Sequence, residues 1–529
     1  MGCECSAEFV KGKNGEGFEH YHVELTESML NGFEVLNSMC LLNNFDHLMF
    51  FLECQMGPSS CELVVPPFDV FIVLMTLVTV SDHYKDESLR ANDPYNVSRL
   101  SLSQRSLKVL QFYVKKLNEF DVEKYGRYQL ELLRCQLFIA YDSISPGSDK
   151  FYRKKKLRRT GSGRLFDNDF PTVEFKEPYK SYISCLDQKQ EVLGNTLLNL
   201  KLNQPGEFKN MILWTLSNSM QSQQVLYLAS HNVWMPLLDL LLDILTLRYD
   251  YFVKNEAERD DDNKYVQQLS SCPLALFLRV FESIQFSSVF CECVFSNCDY
   301  ELDDTLTALK IHPVYHGETT LSNTFHPRVK YTDSYKIRKS LALRRKLLGV
   351  CFELLTEVPN GHRLIYPRMI PEDISSRIAV ILVNFKNLEQ FKAFFSNNMD
   401  KRPSYVLAYI VDDTLLEMFK KFGRKPLKKS EIGILADSHD VDTLFKNCKY
   451  YIESGLFAPW DSKNPEKSYL DIQKADTCLI VSMKCYAKNG DAVNISNKKE
   501  FLKALLENDK KRKSGLPLLY PLMTKLIDD

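Results

Sequence analysis

Pro66-Pro67-Phe68-Asp69-Val70-Phe71-Ile72-Val73-Leu74-Met75-Thr76-Leu77-Val78-Thr79-Val80 is apolar on all sides when wound as a helix. Its leading prolines stand where a helix starts without losing a backbone hydrogen bond. Such a helix has no face to give to water, so it belongs at the centre of a bundle. The flanking sequence supplies the surrounding helices. Upstream, Met29, Phe33, Leu36, Cys40 and Leu41 share helical spacing from about Thr26, and a second apolar run follows from Phe45 to Cys54. Downstream, Ser101 and Gln104 fit a capping box ahead of Leu107, Leu110, Val114 and Leu117, which fall on one helical face. A further helix is expected through Tyr128, Leu132, Cys135 and Ile139.

Composition agrees with an all-α fold. Glycine (20) and proline (21) together are about 8% of 529 residues, below the roughly 12% of average proteins. Hydrophobic residues make up 45%, enough for sizeable cores. The chain is read as an elongated protein of irregularly stacked helices in two lobes, with a long basic loop inserted. The expected boundaries are a flexible tail over 1–20, an N-terminal helical lobe over 21–145, a basic linker or loop over 146–178, a central core over 179–400 and a C-terminal helical region over 401–529. Within the core, helices are expected from Phe208 to Met220, Val233 to Val253, Leu274 to Phe295 and Ser340 to Leu355, and another apolar stretch from Ile374 to Phe395.

Sixty-seven basic residues against 68 acidic ones leave a formal net charge of −1, so no global field draws the surface to nucleic acid or membrane. The most apolar charge-free run, Val70 to Ser81, is shorter than the about 20 residues that span a bilayer, and no membrane partner is expected. Fifteen cysteines lack the dense spacing of a secreted disulfide framework and point to a reducing compartment.

Charge is concentrated locally. Lys150 to Arg164 holds eight basic residues and no acidic one. Lys154, Lys155, Lys156, Arg158 and Arg159 in that run are candidate contacts to nucleic acid or an acidic partner, since each neutralised phosphate releases counterions. A solvated loop and a nuclear-import signal are the competing readings. Thr160 and Ser162 beside them are candidate phosphorylation sites.

Catalytic signatures are lacking. There is no phosphate-binding loop ending in Gly-Lys-Ser/Thr, no Gly-x-Ser-x-Gly elbow and no His-Glu-x-x-His pair. Cys291, Cys293 and Cys298 bring three thiols together, with His312 as a conceivable fourth metal ligand. Their apolar setting favours buried structural cysteines. No catalytic residue, cofactor or metal is assigned. The strings Val380 to Val383 and Leu479 to Val481 could add a strand to a ubiquitin-like modifier only if extended, and their helical surroundings favour burial.

A resemblance extends this reading. His20 to Glu27, Phe33-Glu34-Val35-Leu36-Asn37-Ser38-Met39-Cys40-Leu41-Leu42, Leu89 to Asn96, Leu130 to Gln136, Met211 to Ser219, Lys339 to Leu347 and Gly361 to Ile365, in this order and spacing, closely resemble the fungal non-SMC element five subunits of the SMC five/six complex. The resemblance covers roughly Tyr21 to Arg368 well and the rest loosely. It implies a non-enzymatic helical protein in the nucleus, associated with chromosomes and DNA repair. It also implies an obligate pair with the non-SMC element six subunit, docking on the SMC five and SMC six ATPases, restraint of ATP hydrolysis and help in loading the ring on DNA. Contact with the SUMO pathway and an indirect association with DNA belong to the same expectation. Arg90, Asn92, Asp93 and Tyr95, in one of the matching blocks, are candidate protein-partner contacts; a capped inter-helix loop is the alternative. A DNA-binding helical module acting through the basic run remains the alternative function.

Overall fold

Every side chain from Phe68 to Val78 is buried. The computed structural model describes residues 27–57, 63–79, 102–145, 197–202, 206–220, 225–298, 300, 334–359, 361–364, 367–395, 405–421, 448–457, 465–487, 495–512 and 516–528. The fold is all-α. Among the described residues the one pairing of strand type is an isolated bridge between Tyr300 and Phe385, and no single helix is long and apolar enough to cross a membrane.

The chain forms two compact units. The first comprises Met1–Glu282, Ala308–Tyr331 and Glu357–Pro367, and the second Ser283–Thr307, Thr332–Thr356 and Arg368–Asp529. The division therefore falls inside residues 179–400. Helices of the first unit are α1 (Glu27–Leu41), α2 (Phe45–Cys54), α3 (Phe68–Val78), α4 (Leu102–Glu119), α5 (Val122–Tyr125), α6 (Arg127–Ile144), α7 (Leu198–Leu202), α8 (Glu207–Leu216), α9 (Val225–Tyr251), α10 (Asp262–Leu269) and α11 (Pro273–Leu278).

Helix α3 packs against α1, α4, α6, α7 and α9. Each of its large apolar side chains contributes about 1.5–3 kcal/mol through burial. A buried helix must also satisfy the backbone groups at its ends. Pro67 has no side-chain cap to offer, and Gln136 Oε1 of α6 accepts from the Phe68 N–H at 2.9 Å instead. At the other end Ser103 Oγ of α4 donates to the Val78 carbonyl at 2.5 Å. Thr76 Oγ1 donates to the Ile72 carbonyl and accepts from the Leu198 N–H at 3.0 Å, tying α7 to the same helix.

The second unit contains α12 (Phe286–Val294), α13 (Ser334–Thr356), α14 (Pro371–Val383), α15 (Leu388–Phe395), α16 (Tyr405–Lys421), α17 (Pro465–Ala487), α18 (Ile495–Lys511) and α19 (Leu519–Asp528). Buried cations join these helices. Lys474 of α17 donates to the carbonyls of Val383, at 2.8 Å, and Phe385, where α14 ends and its dipole favours positive charge. Arg344 of α13 donates to the carbonyls of Val294 and Ser296 past α12, and Arg345 to that of Phe394 at the end of α15. Arg512 pairs with Asp476 through Nη1 and Nη2, and both side chains are almost wholly buried.

Some helix boundaries depart from expectation. Leu274 to Phe295 is not one helix: it breaks into α11, a 3-10 turn over Arg279–Phe281, and α12, because the exposed Glu282-Ser283-Ile284-Gln285, polar at all but Ile284, interrupts the apolar period. Ile374 to Phe395 likewise divides into α14 and α15 around Asn384 to Asn387, where Asn387 Oδ1 caps the new helix by accepting from the N–H groups of Glu389 and Gln390. In the other direction, the helix expected from Val233 begins earlier, at Val225, and α9 runs through Pro236.

Candidate partner-binding surface

The residues singled out by charge and by resemblance, Lys154, Lys155, Lys156, Arg158, Arg159, Arg90, Asn92, Asp93 and Tyr95, lie outside the described residues, as do Thr160, Ser162 and His312. Cys291, Cys293 and Cys298 are buried, and the Cys291 thiol, pushed up by burial, faces the Ile374 carbonyl at 3.8 Å. Among the described residues no three His, Cys, Asp or Glu side chains converge as metal ligands. Val380 to Val383 lie in α14 and Leu479 to Val481 in α17, mostly buried, so neither string offers an extended edge.

What the described residues do present is an apolar surface on α1 and α2. Phe33, Leu36 and Cys40 of α1 point into the core, and burial pushes the Cys40 thiol up to about 12. Val35, Met39 and Leu42 recur at i, i+4 and i+7 on another side of the same chain segment. Val35 is 52% exposed and Leu42 75%. Together with Asn31, Glu34, Ser38 and Asn44 they line a shallow depression, apolar side chains alternating with a polar margin. Outside that depression, helix α2 presents Phe50, 66% exposed, and Phe51.

The sequence builds this surface through a tight turn. Asn43 adopts φ +53°, the left-handed conformation that asparagine tolerates better than most residues. The Asn44 N–H then donates to the Met39 carbonyl at 2.8 Å and the Asn43 N–H to Cys40 at 3.1 Å, closing α1 in a Schellman motif. Helix α2 starts directly afterwards at Phe45.

Below the surface, Arg105 of α4 fixes α2 along its length. Its Nη1 donates to Asp46 Oδ1 at 2.8 Å in the first turn, while Nε and Nη2 donate to the two oxygens of Glu53, each at 2.9 Å, two turns later. The guanidinium is 6% exposed. Reading by period finds the inward stripe of α1 and overlooks the outward one. The signal was present, since seven apolar residues among the ten from Phe33 to Leu42 exceed what one buried face needs. Arg105 carried no signal, because a charged residue in an amphipathic helix reads as solvent-facing.

Such a surface has no chemistry of its own. It can bind an apolar face of another protein, with Leu42 and Phe50 as the side chains that gain most from being covered. Comparison with known proteins gives the family of the chain. The family described as DNA repair proteins Nse5 and Nse6 matches residues 1–507. The chain is similar to non-structural maintenance of chromosome element 5 of Saccharomyces cerevisiae, 43% identical across 98% of this chain and 96% of that protein.

Proposed function

Since the chain belongs to the Nse5 family of DNA repair proteins, we propose that it is a non-enzymatic subunit of the SMC five/six complex, paired with the non-SMC element six subunit and acting in the nucleus on chromosomes. The observation that carries this reading is the 43% identity to a chromosome maintenance element over nearly the whole length of both chains. In this reading the pair docks on the SMC five and SMC six ATPases and restrains hydrolysis by binding one arrangement of the heads better than another. A regulator shifts such an equilibrium only by its differential affinity for the two states. It also promotes loading of the ring on DNA, and it meets the SUMO pathway through the complex it belongs to. The α1–α2 surface is the seat offered to the non-SMC element six subunit, in keeping with a family description that names the two proteins together.

The test is the ATPase rate of the SMC five/six complex with and without this chain and its non-SMC element six partner, with masses measured alongside. A one-to-one pair that slows hydrolysis is the expected result. A chain that stays alone and leaves hydrolysis unchanged overturns the reading and returns attention to the basic run from Lys150 to Arg164.

A further inference from the structure

Helix α13 carries six basic residues, Lys336, Arg338, Lys339, Arg344, Arg345 and Lys346, and no acidic one before Glu353. The fold sorts them. Lys336, Arg344 and Arg345 are buried, whereas Arg338 and Lys339 are exposed and Lys346 is half-buried. Tyr335, one turn ahead, is 53% exposed. Both exposed cations lean on its ring, with the Lys339 Nζ 4.6 Å and the Arg338 Cζ 5.6 Å from the ring centroid. Among the described residues neither is within ion-pair distance of a carboxylate, and the nearby Glu389 of α15 is directed to Lys392.

Two adjacent like charges repel each other, and the ring offsets part of that cost by its quadrupole. The result is a pair of cations held side by side, facing water and not neutralised by an acid. The exposed Ala342 follows one turn later and Lys346 one turn beyond it, so the face from Arg338 to Lys346 extends about 12 Å along the helix. A small residue at its middle lets a broad ligand approach the helix closely. About 12 Å of duplex carries roughly seven phosphate charges.

We propose that the Tyr335, Arg338 and Lys339 face of α13 binds the phosphate backbone of duplex DNA directly. This goes beyond the pairing and regulatory role above, and differs from the indirect association with DNA that the family resemblance implies. An acidic protein surface is the less suitable ligand. Protein interfaces are anchored by buried apolar side chains, and α13 exposes no large aliphatic residue beside these cations. A uniform polyanion needs no such anchor, and the arginine fork matches phosphate oxygens.

The test uses the full chain and a fluorescein-labelled duplex, with affinity followed by anisotropy across a salt series. It compares wild type with Arg338→Glu/Lys339→Glu and with the milder Arg338→Gln/Lys339→Gln. Each is repeated with Lys154, Lys155, Lys156, Arg158 and Arg159 replaced by alanine, so that binding through the basic run does not hide the effect. The expected result in both backgrounds is an affinity loss of about tenfold or more, and a slope of log affinity against log salt that falls by about two. Tyr335→Ala keeps the slope and weakens binding by about two- to fivefold. Melting temperature and the mass of the non-SMC element six pair stay unchanged, which separates this proposal from the pairing itself. An unchanged slope in the folded variants overturns it. So does polyglutamate that displaces the duplex as well as unlabelled duplex does at equal charge, which would assign the face to an acidic protein.

Discussion

Arg105 of α4 grips Glu53 of α2 through two parallel hydrogen bonds, Nε to Oε1 and Nη2 to Oε2, each 2.9 Å long. The same guanidinium reaches Asp46 seven residues earlier on α2, so one buried side chain holds both ends of the helix that carries Phe50 and Phe51.

Arg105→Ala is expected to destabilise the first unit by about 2 kcal/mol. This lies below the loss for a fully buried pair because Glu53 and Asp46, 33% and 43% exposed beside the arginine, already stand partly in water. Urea unfolding followed by circular dichroism checks the value. Arg105→Lys, which keeps the charge but not the fork, recovers less than half of the loss.

Substitutions on the outward face act on binding and not on folding. Leu42→Glu and Phe50→Glu place a charge where the side chain already meets water, so the melting temperature moves little. Affinity for the non-SMC element six subunit falls by about tenfold or more if this is its seat. Isothermal titration against that subunit measures the effect, with Glu34→Gln at the polar margin as the control expected to stay near wild type.

In the second unit, Asp476→Asn leaves Arg512 buried without its counter-charge and costs about 3–5 kcal/mol. Replacing both partners with apolar residues, Asp476→Leu/Arg512→Met, restores most of that stability, since neither charge then needs desolvation. Denaturant midpoints of the single and double variants decide the matter.

Burial lowers the Lys474 ammonium from its usual 10.5 to about 8, with Asp471 opposing the shift and Lys421 adding to it. Between about pH 8 and 10.5 the unfolded chain therefore holds a proton that the folded chain has released. By linkage this one group makes stability rise with pH across that window, and below it the cost of burying the charge is fully present. Several buried thiols and tyrosines are shifted upwards and act in the opposite sense above pH 9. The wild type must therefore be compared with Lys474→Gln, and the difference between the two stability curves should slope upwards from about pH 8.

The helices that hold these features were legible to different degrees. Helices α3, α4 and α6 follow from apolar period, and α3 also from the prolines ahead of it, because a buried stripe needs only local spacing to be visible; the capping residue Ser101 lies outside the described residues. The buried cations Arg105, Arg344, Arg345 and Lys474 were not legible. Their acceptors lie about 50 to 90 residues away in sequence, and only the tertiary fold makes burying a charge tolerable. The α1–α2 surface was half legible: its apolar residues were evident, but spacing alone does not say which of two stripes meets solvent. Lys339 opened a block that carried the family resemblance and Arg338 stood just ahead of it, yet their exposure became visible only once α13 had its neighbours.

Gln136, which completes the start of α3, follows Phe68 by 68 residues, and Leu198, which bonds Thr76, follows it by 122. At about 5–20 residues per second of synthesis, the most apolar helix of the chain leaves the ribosome roughly 3–14 seconds before Gln136 and 6–24 seconds before Leu198. During that interval its side chains have α1 and then α4 to pack against, and the faces that meet α6, α7 and α9 stay uncovered. The nascent chain is thus an early client for chaperones, and slowing translation after residue 80 would lengthen the period in which α3 is open to aggregation.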